Sequence, residues 1–97
     1  MALLNQNELR QDLQLIEENI KKLEKQYMDF IDGVTSVEPK ALRARTEALV
    51  RKWWGKPVAN TRLRFQLQNI VQRYNAYKEK WDRLLRIKIK AEKEEMF

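Results

Sequence analysis

Apolar side chains recur at alternating intervals of four and three residues along two long stretches of this 97-residue chain. That spacing places them on one face of an α-helix, and three heptads of it are typical of a helix that packs in a bundle or coiled coil. The first seam consists of Leu9, Leu13, Ile16, Ile20, Leu23, Tyr27 and Phe30. The second seam consists of Leu63, Leu67, Ile70, Tyr74, Tyr77, Trp81 and Leu84. Two long helices are therefore predicted.

The first helix is predicted over about residues 7–32. Asn5 or Asn7 can cap its start, because a short amide side chain accepts a hydrogen bond from an N–H of the first turn. Gly33 is the predicted stop, since glycine adopts the left-handed conformation that follows many helix ends.

A shorter second helix is predicted over about residues 39–54. Ser36 is a candidate N-cap, and Pro39 suits the first turn, where its missing N–H costs nothing. Its predicted buried face consists of Leu42, Leu49, Val50 and Trp53. The third helix is predicted over about residues 60–93, with Asn60 or Thr61 as its cap.

The resulting fold class is all-α: a single domain over residues 1–97, in which a long, a short and a long helix form a coiled-coil-like bundle. A helix of about 16 residues is only about 24 Å long, so the middle helix cannot cover both seams. Apolar residues left exposed in this way usually contact a partner. A homodimer, or a complex with another helical protein, is therefore expected.

Charged residues flank the seams at the heptad positions next to the core. Glu17 and Glu24 take the e position on the first helix. On the third helix, Arg73 and Lys80 take g, and Arg64 and Lys78 take e. Acid–base pairing is therefore open to both orientations, antiparallel through e–e′ and parallel through e–g′. Each exposed pair contributes only about 0.2–1 kcal/mol.

Charge is distributed unevenly along the chain. Residues 1–32 carry 4 basic and 7 acidic side chains, whereas residues 39–90 carry 15 basic and 3 acidic ones, and the whole chain has a net charge of +6. The acidic arm can neutralise part of the basic body by packing on it, and the body can attract an acidic partner. A solvated helical surface rich in Lys and Arg explains the same charges without a ligand.

Composition argues against an enzyme. The chain has no Cys and no His, and its only two Gly residues follow predicted helices. The usual nucleophile–base pairs, the bundle di-iron site and the Gly-rich phosphate loop are therefore missing. We expect no catalytic residue, cofactor, metal or small-molecule substrate. No signal peptide and no membrane span of about 18 apolar residues is recognisable, so a cytoplasmic protein is expected.

Basic and aromatic side chains alternate near the corner between the second and third helices. The candidate partner-binding residues are Arg51, Trp53, Trp54, Arg62, Arg64, Phe65 and Arg73. Adjacent tryptophans on a helix point about 100° apart, so one is expected in the core and the other at the rim, although both could instead clamp the corner. Phe65 is expected to pack on the second helix. In the second seam, Asn75 and Asp82 are local candidates to bond the polar tips of Tyr and Trp.

These features favour a protein–protein interaction module, a small helical adaptor or scaffold that pairs through its seams. The seam residues assigned to pairing are Leu13, Ile16, Ile20, Leu23, Tyr27, Leu67, Ile70, Tyr74, Tyr77, Trp81 and Leu84. One alternative is a nucleic-acid-binding protein that uses the basic residues 39–90. Another is a chaperone that wraps a helical client.

The order of residues in the third helix also resembles a known family. The features are Asn60-Thr61, Arg64-Phe65, Arg73-Tyr74-Asn75, Tyr77, and Trp81 followed by Arg83. Over roughly residues 40–86 the chain resembles C-terminal domains of unknown function in deltaproteobacterial proteins of the myxobacterial type. The resemblance implies an all-helical accessory or interaction domain, and it supplies no activity, cofactor or ligand.

Overall fold

The computed structural model describes residues 6–95, which form three α-helices. α1 is Gln6–Ile31, α2 is Lys40–Trp53 and α3 is Thr61–Glu95. The predicted all-α bundle of a long, a short and a long helix is confirmed, and each predicted boundary lies within two residues of the observed one. The predicted cap Asn5 lies outside the described residues.

α1 packs along both other helices. Ion pairs between α1 and α3 give their relative direction, because Arg73 pairs with Glu17 and Lys80 pairs with Glu24. Both pairs have the same sequence offset, so the two helices run parallel. The parallel e–g′ arrangement is therefore realised, and it joins two helices of one chain.

α2 runs antiparallel to α1. Trp53, at the end of α2, bonds to Asp12 near the start of α1, whereas Arg43, near the start of α2, bonds to Tyr27 near the end of α1. The chain thus crosses the bundle three times over the described residues, and the molecule is a rod with extents of 61 × 20 × 18 Å.

The core contains most of both seams and one face of α2. Its buried apolar residues are Leu9, Leu13, Ile16, Ile20, Leu23, Tyr27, Val50, Trp53, Val58, Leu63, Leu67, Ile70, Val71, Tyr74 and Trp81. The first seam is buried from Leu9 to Tyr27, and its last member, Phe30, is partly exposed, so less of the seam is left uncovered than expected. The short α2 does not have to cover the apolar face of α1 alone, because α3 also packs directly on α1. Val58, in the connection after α2, extends the buried surface beyond the end of that helix.

Apolar residues also remain exposed near the end of α3. Leu84 and Leu85 are partly buried, whereas Ile87 and Ile89 are 59% and 50% exposed. The constant offset between paired residues places Ile87 level with the end of α1. The last eight described residues of α3 therefore extend past α1 by about 12 Å, at 1.5 Å per residue.

Glycines end the first two helices as predicted. Gly33 and Gly55 have φ angles of +80° and +83°, a region that L side chains rarely adopt. Asn60 is the N-cap of α3, because its side-chain oxygen accepts a hydrogen bond of 3.1 Å from the N–H of Leu63. Both signals act within a few residues, which is why they could be recognised in the sequence.

Two of the predicted N-caps of α1 and α2 need correction. Asn7 lies inside α1, which already begins at Gln6, so it is not the cap. Ser36 does not cap α2, because the N-cap position belongs to Pro39, which makes no side-chain cap bond. A backbone hydrogen bond from Lys40 to Glu38 instead tightens the chain just before α2.

Candidate functional site

An aromatic cluster around Trp81 packs α1 and α3 together. Trp81 is fully buried, and its ring stacks on Tyr27 of α1 with 4.9 Å between the ring centroids. Tyr77 stacks on it at 5.7 Å, and Tyr74 meets it edge-on at 6.4 Å. These seam residues are therefore occupied within their own chain.

The polar tip of Trp53 bonds to a carboxylate of another helix. The indole N–H donates to Asp12 at 2.7 Å, and the ammonium group of Lys52 donates to the same carboxylate at 2.8 Å. Lys52 also donates to Glu8, and these hydrogen bonds raise the pKa of its ammonium group. This lysine is thus an ion-paired part of the α1–α2 contact.

The same arrangement recurs at Trp81. Its indole N–H donates to Glu24 at 2.9 Å, and Lys80 donates to the other oxygen of that carboxylate. A Lys-Trp dipeptide that shares one α1 carboxylate therefore occurs twice, once on α2 and once on α3. The repeated Lys-Trp dipeptide was the feature of the sequence that could have indicated these two contacts. Local spacing alone could not predict which acidic residue each dipeptide binds.

Glu47 forms a similar contact between α2 and α3, in which one carboxylate binds an aromatic side chain and a lysine. Its carboxylate accepts hydrogen bonds from the hydroxyl of Tyr74 and from Lys78. Burial acts to raise the pKa of Glu47, but these hydrogen bonds and the charges of Lys78 and Arg51 outweigh it, so the pKa lies below its usual value. The predicted local partner Asn75 is instead exposed.

Arg43 connects all three helices. Its guanidinium donates to the Tyr27 hydroxyl at 3.1 Å and to Asp82 at 2.7 Å. It also lies over the rings of Tyr27 and Trp81, with centroid distances of 5.6 and 5.9 Å. The Tyr27 hydroxyl donates in turn to Glu38 at 2.9 Å. Asp82 thus bonds an arginine, whereas an aromatic tip was predicted.

We expect the free energy of unfolding to fall in alkali more steeply for the wild type than for Tyr27→Phe. Burial raises the pKa of Tyr27 to about 12; the hydrogen bond from Arg43 opposes this shift and the one to Glu38 reinforces it. The pKa of Tyr27 is higher in the folded than in the unfolded state. Its contribution to the free energy of unfolding is therefore fully present below about pH 10 and is lost as the pH rises towards 12, at up to about 1.4 kcal/mol per pH unit.

Urea denaturation between pH 8.5 and 11, followed by circular dichroism, measures this difference. Tyr27→Phe removes the ionisable hydroxyl but leaves the lysines, which titrate in both proteins. The difference between the two slopes of unfolding free energy against pH therefore reports the titration of Tyr27. Equal slopes for the two proteins would contradict the prediction.

The predicted partner-binding residues separate into buried and exposed sets. Trp53 is 2% exposed and belongs to the core, whereas Trp54 is 61% exposed at the end of α2. The prediction of one core and one rim tryptophan is confirmed. Beside Trp54, Arg51 is exposed and its guanidinium lies 3.7 Å from Glu47.

Phe65 is 54% exposed, and Arg64 lies 5.9 Å above its ring. The expectation that Phe65 packs on α2 is wrong, because it lies two residues after the buried Leu63 and therefore on the far side of α3. Trp53 and Val58 already fill the corner. We refer to the exposed residues Arg51, Trp54, Lys56, Arg64 and Phe65 at this end of the bundle as the aromatic corner.

Arg62 and Arg73 lie elsewhere, along a groove of about 920 Å³ between α1 and α3. Arg10 lines the groove from α1, and no α2 residue lines it. Its apolar lining, Leu13, Leu63 and Ile70, is already buried in the core. The groove is therefore walled mainly by polar side chains, with these core residues at its base.

No family model, curated protein or solved structure matches this chain. The resemblance to the deltaproteobacterial domains stays a prediction. Across residues 6–95, none of the helices combines the length and the apolar character that crossing a membrane requires. Nor does this part of the chain bring three potential His, Cys, Asp or Glu ligands together around a metal position.

Proposed function

We propose that this chain is a protein–protein interaction module, a rigid helical adaptor or scaffold without catalytic activity, and that it binds its partner through the aromatic corner. The observation that carries the proposal is the 61% exposure of Trp54 next to the 2% exposure of Trp53. A tryptophan left in water beside arginine is the composition in which binding hot spots are enriched.

The charges around Trp54 define the kind of partner. Arg51 is exposed, and Lys56 and Arg64 form no ion pair with any residue of the described part of the chain. Lys56 lies instead over the Trp53 ring, 5.2 Å from its centroid. A protein surface with an apolar pocket and a rim of Asp and Glu would complement the corner. The partner class is therefore an acidic protein surface.

The burial of the seams limits which surfaces of the protein are available to a partner. The α1 seam residues assigned to pairing lie inside the bundle of their own chain, so a dimer or a chaperone complex cannot use them in this fold. Among the described residues, the large apolar side chains exposed at the far end of the bundle are Ile87 and Ile89 of α3 and Val34 and Val37 of the α1–α2 connection. Four side chains of this size expose less than the roughly 800 Å² that each partner of a standard interface buries. The corner is consequently a better-supported site than a seam-paired homodimer.

A photo-crosslinking experiment tests the proposal. A benzophenone amino acid replaces either Ala59, which is exposed near Trp54, or Ala44, which is exposed in the middle of α2. In cells that express the protein, we expect a discrete cross-linked product from position 59 and none from position 44. Mass spectrometry of that product identifies the partner.

The identified partner then allows the corner itself to be measured. We expect Trp54→Ala to weaken its binding at least about tenfold, a hot-spot effect, while the melting temperature stays nearly unchanged. Leu15→Ala, which removes another exposed apolar side chain from α1, serves as the control and should not alter affinity. The same product from both alanine positions, or full affinity of Trp54→Ala, would contradict the proposal.

A further inference from the structure

The outer face of α3 carries a row of cations that the bundle does not use. Arg83, Arg86, Lys90 and Lys93 follow one another at intervals of three, four and three residues, so they share one face of the helix. All four are exposed, and none forms an ion pair with another described residue. We refer to these four residues as the basic stripe.

The cations on the inner side of α3 behave differently. Lys78 and Lys80 pair with acids of α2 and α1, respectively. Lys88 pairs with Glu92 and lies over the Phe30 ring at 5.2 Å. Fold stability therefore accounts for the inner cations and leaves the basic stripe without a structural role.

Few acidic side chains lie close enough to the basic stripe to neutralise it. Asp82 is bound to Arg43. Glu79 lies one turn before Arg83 and Glu94 one turn after Lys90, and neither forms an ion pair with a described residue. Four cations thus face two acids at the margins of the row, which leaves a net positive surface about 15 Å long at 1.5 Å per residue.

We propose that the basic stripe binds the phosphate backbone of double-stranded DNA without base preference. Lys90 and Lys93 lie in the part of α3 that extends past α1, and Arg83 and Arg86 are exposed beside the bundle, so the whole stripe is accessible from solvent. The major groove of B-DNA, about 12 Å wide, admits an α-helix with phosphates on both sides. The major groove of A-form RNA is too narrow for the same approach.

Two other polyanions fit the stripe less well. An interfacial helix needs one continuous apolar face, but Ile87 and Ile89 lie about 160° apart around α3, on opposite flanks of the stripe. A single-stranded nucleic acid is usually held by aromatic side chains that stack on its bases, and the stripe contains no aromatic residue. A rigid duplex needs neither feature.

Fluorescence anisotropy with a labelled 24-base-pair DNA duplex, between 50 and 200 mM KCl, tests the proposal. If four phosphates are neutralised, log K is expected to fall with log salt with a slope of about −3.6. Arg86→Gln combined with Lys90→Gln is expected to reduce that slope by about 2 and to weaken binding at 50 mM at least about tenfold. Arg83→Gln combined with Lys93→Gln should give the same loss.

Lys21→Gln combined with Lys22→Gln provides the matched control. It removes the same charge from exposed positions on α1 and is expected to change affinity less than about twofold. Trp54→Ala should bind the duplex as the wild type does, so this test is independent of the proposed function. Equal losses in the control, no duplex binding at 50 mM, or tighter binding of single-stranded DNA, double-stranded RNA or phosphatidylserine vesicles would overturn the proposal.

Discussion

Replacing Trp81 with alanine is expected to lower the free energy of unfolding by about 3–5 kcal/mol, the usual cost of removing a buried tryptophan. The side chain is fully buried and stacks on Tyr27 and Tyr77, so alanine leaves a cavity at the contact between helices. The substitution also removes the indole N–H that donates to Glu24, whose carboxylate would keep only Lys80. Packing and hydrogen bonding are thus lost together.

Urea denaturation followed by circular dichroism at 222 nm measures this loss. Single domains unfold with about 5–15 kcal/mol, so the variant is expected to lose a large share of its stability. Trp54→Ala is the matched control, because it removes the same side chain from a position that is 61% exposed. Its unfolding free energy should change by less than about 0.5 kcal/mol. Similar losses in the two variants would refute the assignment of Trp81 to the core.

Arg43→Met is expected to cost about 2–3 kcal/mol, because hydrogen bonds that involve a charged group contribute about 1.5–3 kcal/mol. The side chain is only 17% exposed, and it bonds both the Tyr27 hydroxyl and Asp82. Methionine retains much of the packing of the aliphatic stem but removes the charge that lies over the Tyr27 and Trp81 rings. The loss therefore measures the polar connection among the three helices.

Arg45→Met is the control for this prediction. Arg45 lies two residues away on α2, is exposed, and forms no ion pair with a described residue, so the change should cost less than about 0.5 kcal/mol. A double-mutant cycle with Asp82→Asn separates the ion pair from the ring contacts. If both arginine variants lost the same stability, the connecting role of Arg43 would be disproved.

The helices could be predicted because their signals are local. The seam spacing requires a helical period, Gly33 and Gly55 end helices through their own backbone conformation, and Asn60 caps the turn that follows it. These features need no knowledge of the neighbouring helix. The start of α2 was predicted to within one residue, but its N-cap was not, because Ser36 lies in a turn region that holds several polar residues and the N-cap position belongs to Pro39.

The contacts between helices could not be predicted in the same way. A seam identifies which face is buried but not what covers it, so the α1 seam could belong to a dimer or to a single chain. The pairing of Glu24 with Lys80 was one of two arrangements left open, and the bond of Glu24 to Trp81 depends on the register between α1 and α3. The flanking charges allowed two orientations, and only the folded chain distinguishes them.

The aromatic corner and the basic stripe lie far apart along the length of the bundle. From Phe65 in the aromatic corner to Arg83 in the basic stripe there are 18 residues of continuous helix, or about 27 Å. Two macromolecules bound at these places would not need to touch each other. α3 would then act as a spacer that keeps two different macromolecules on one chain, so that binding of the first raises the local concentration of the second.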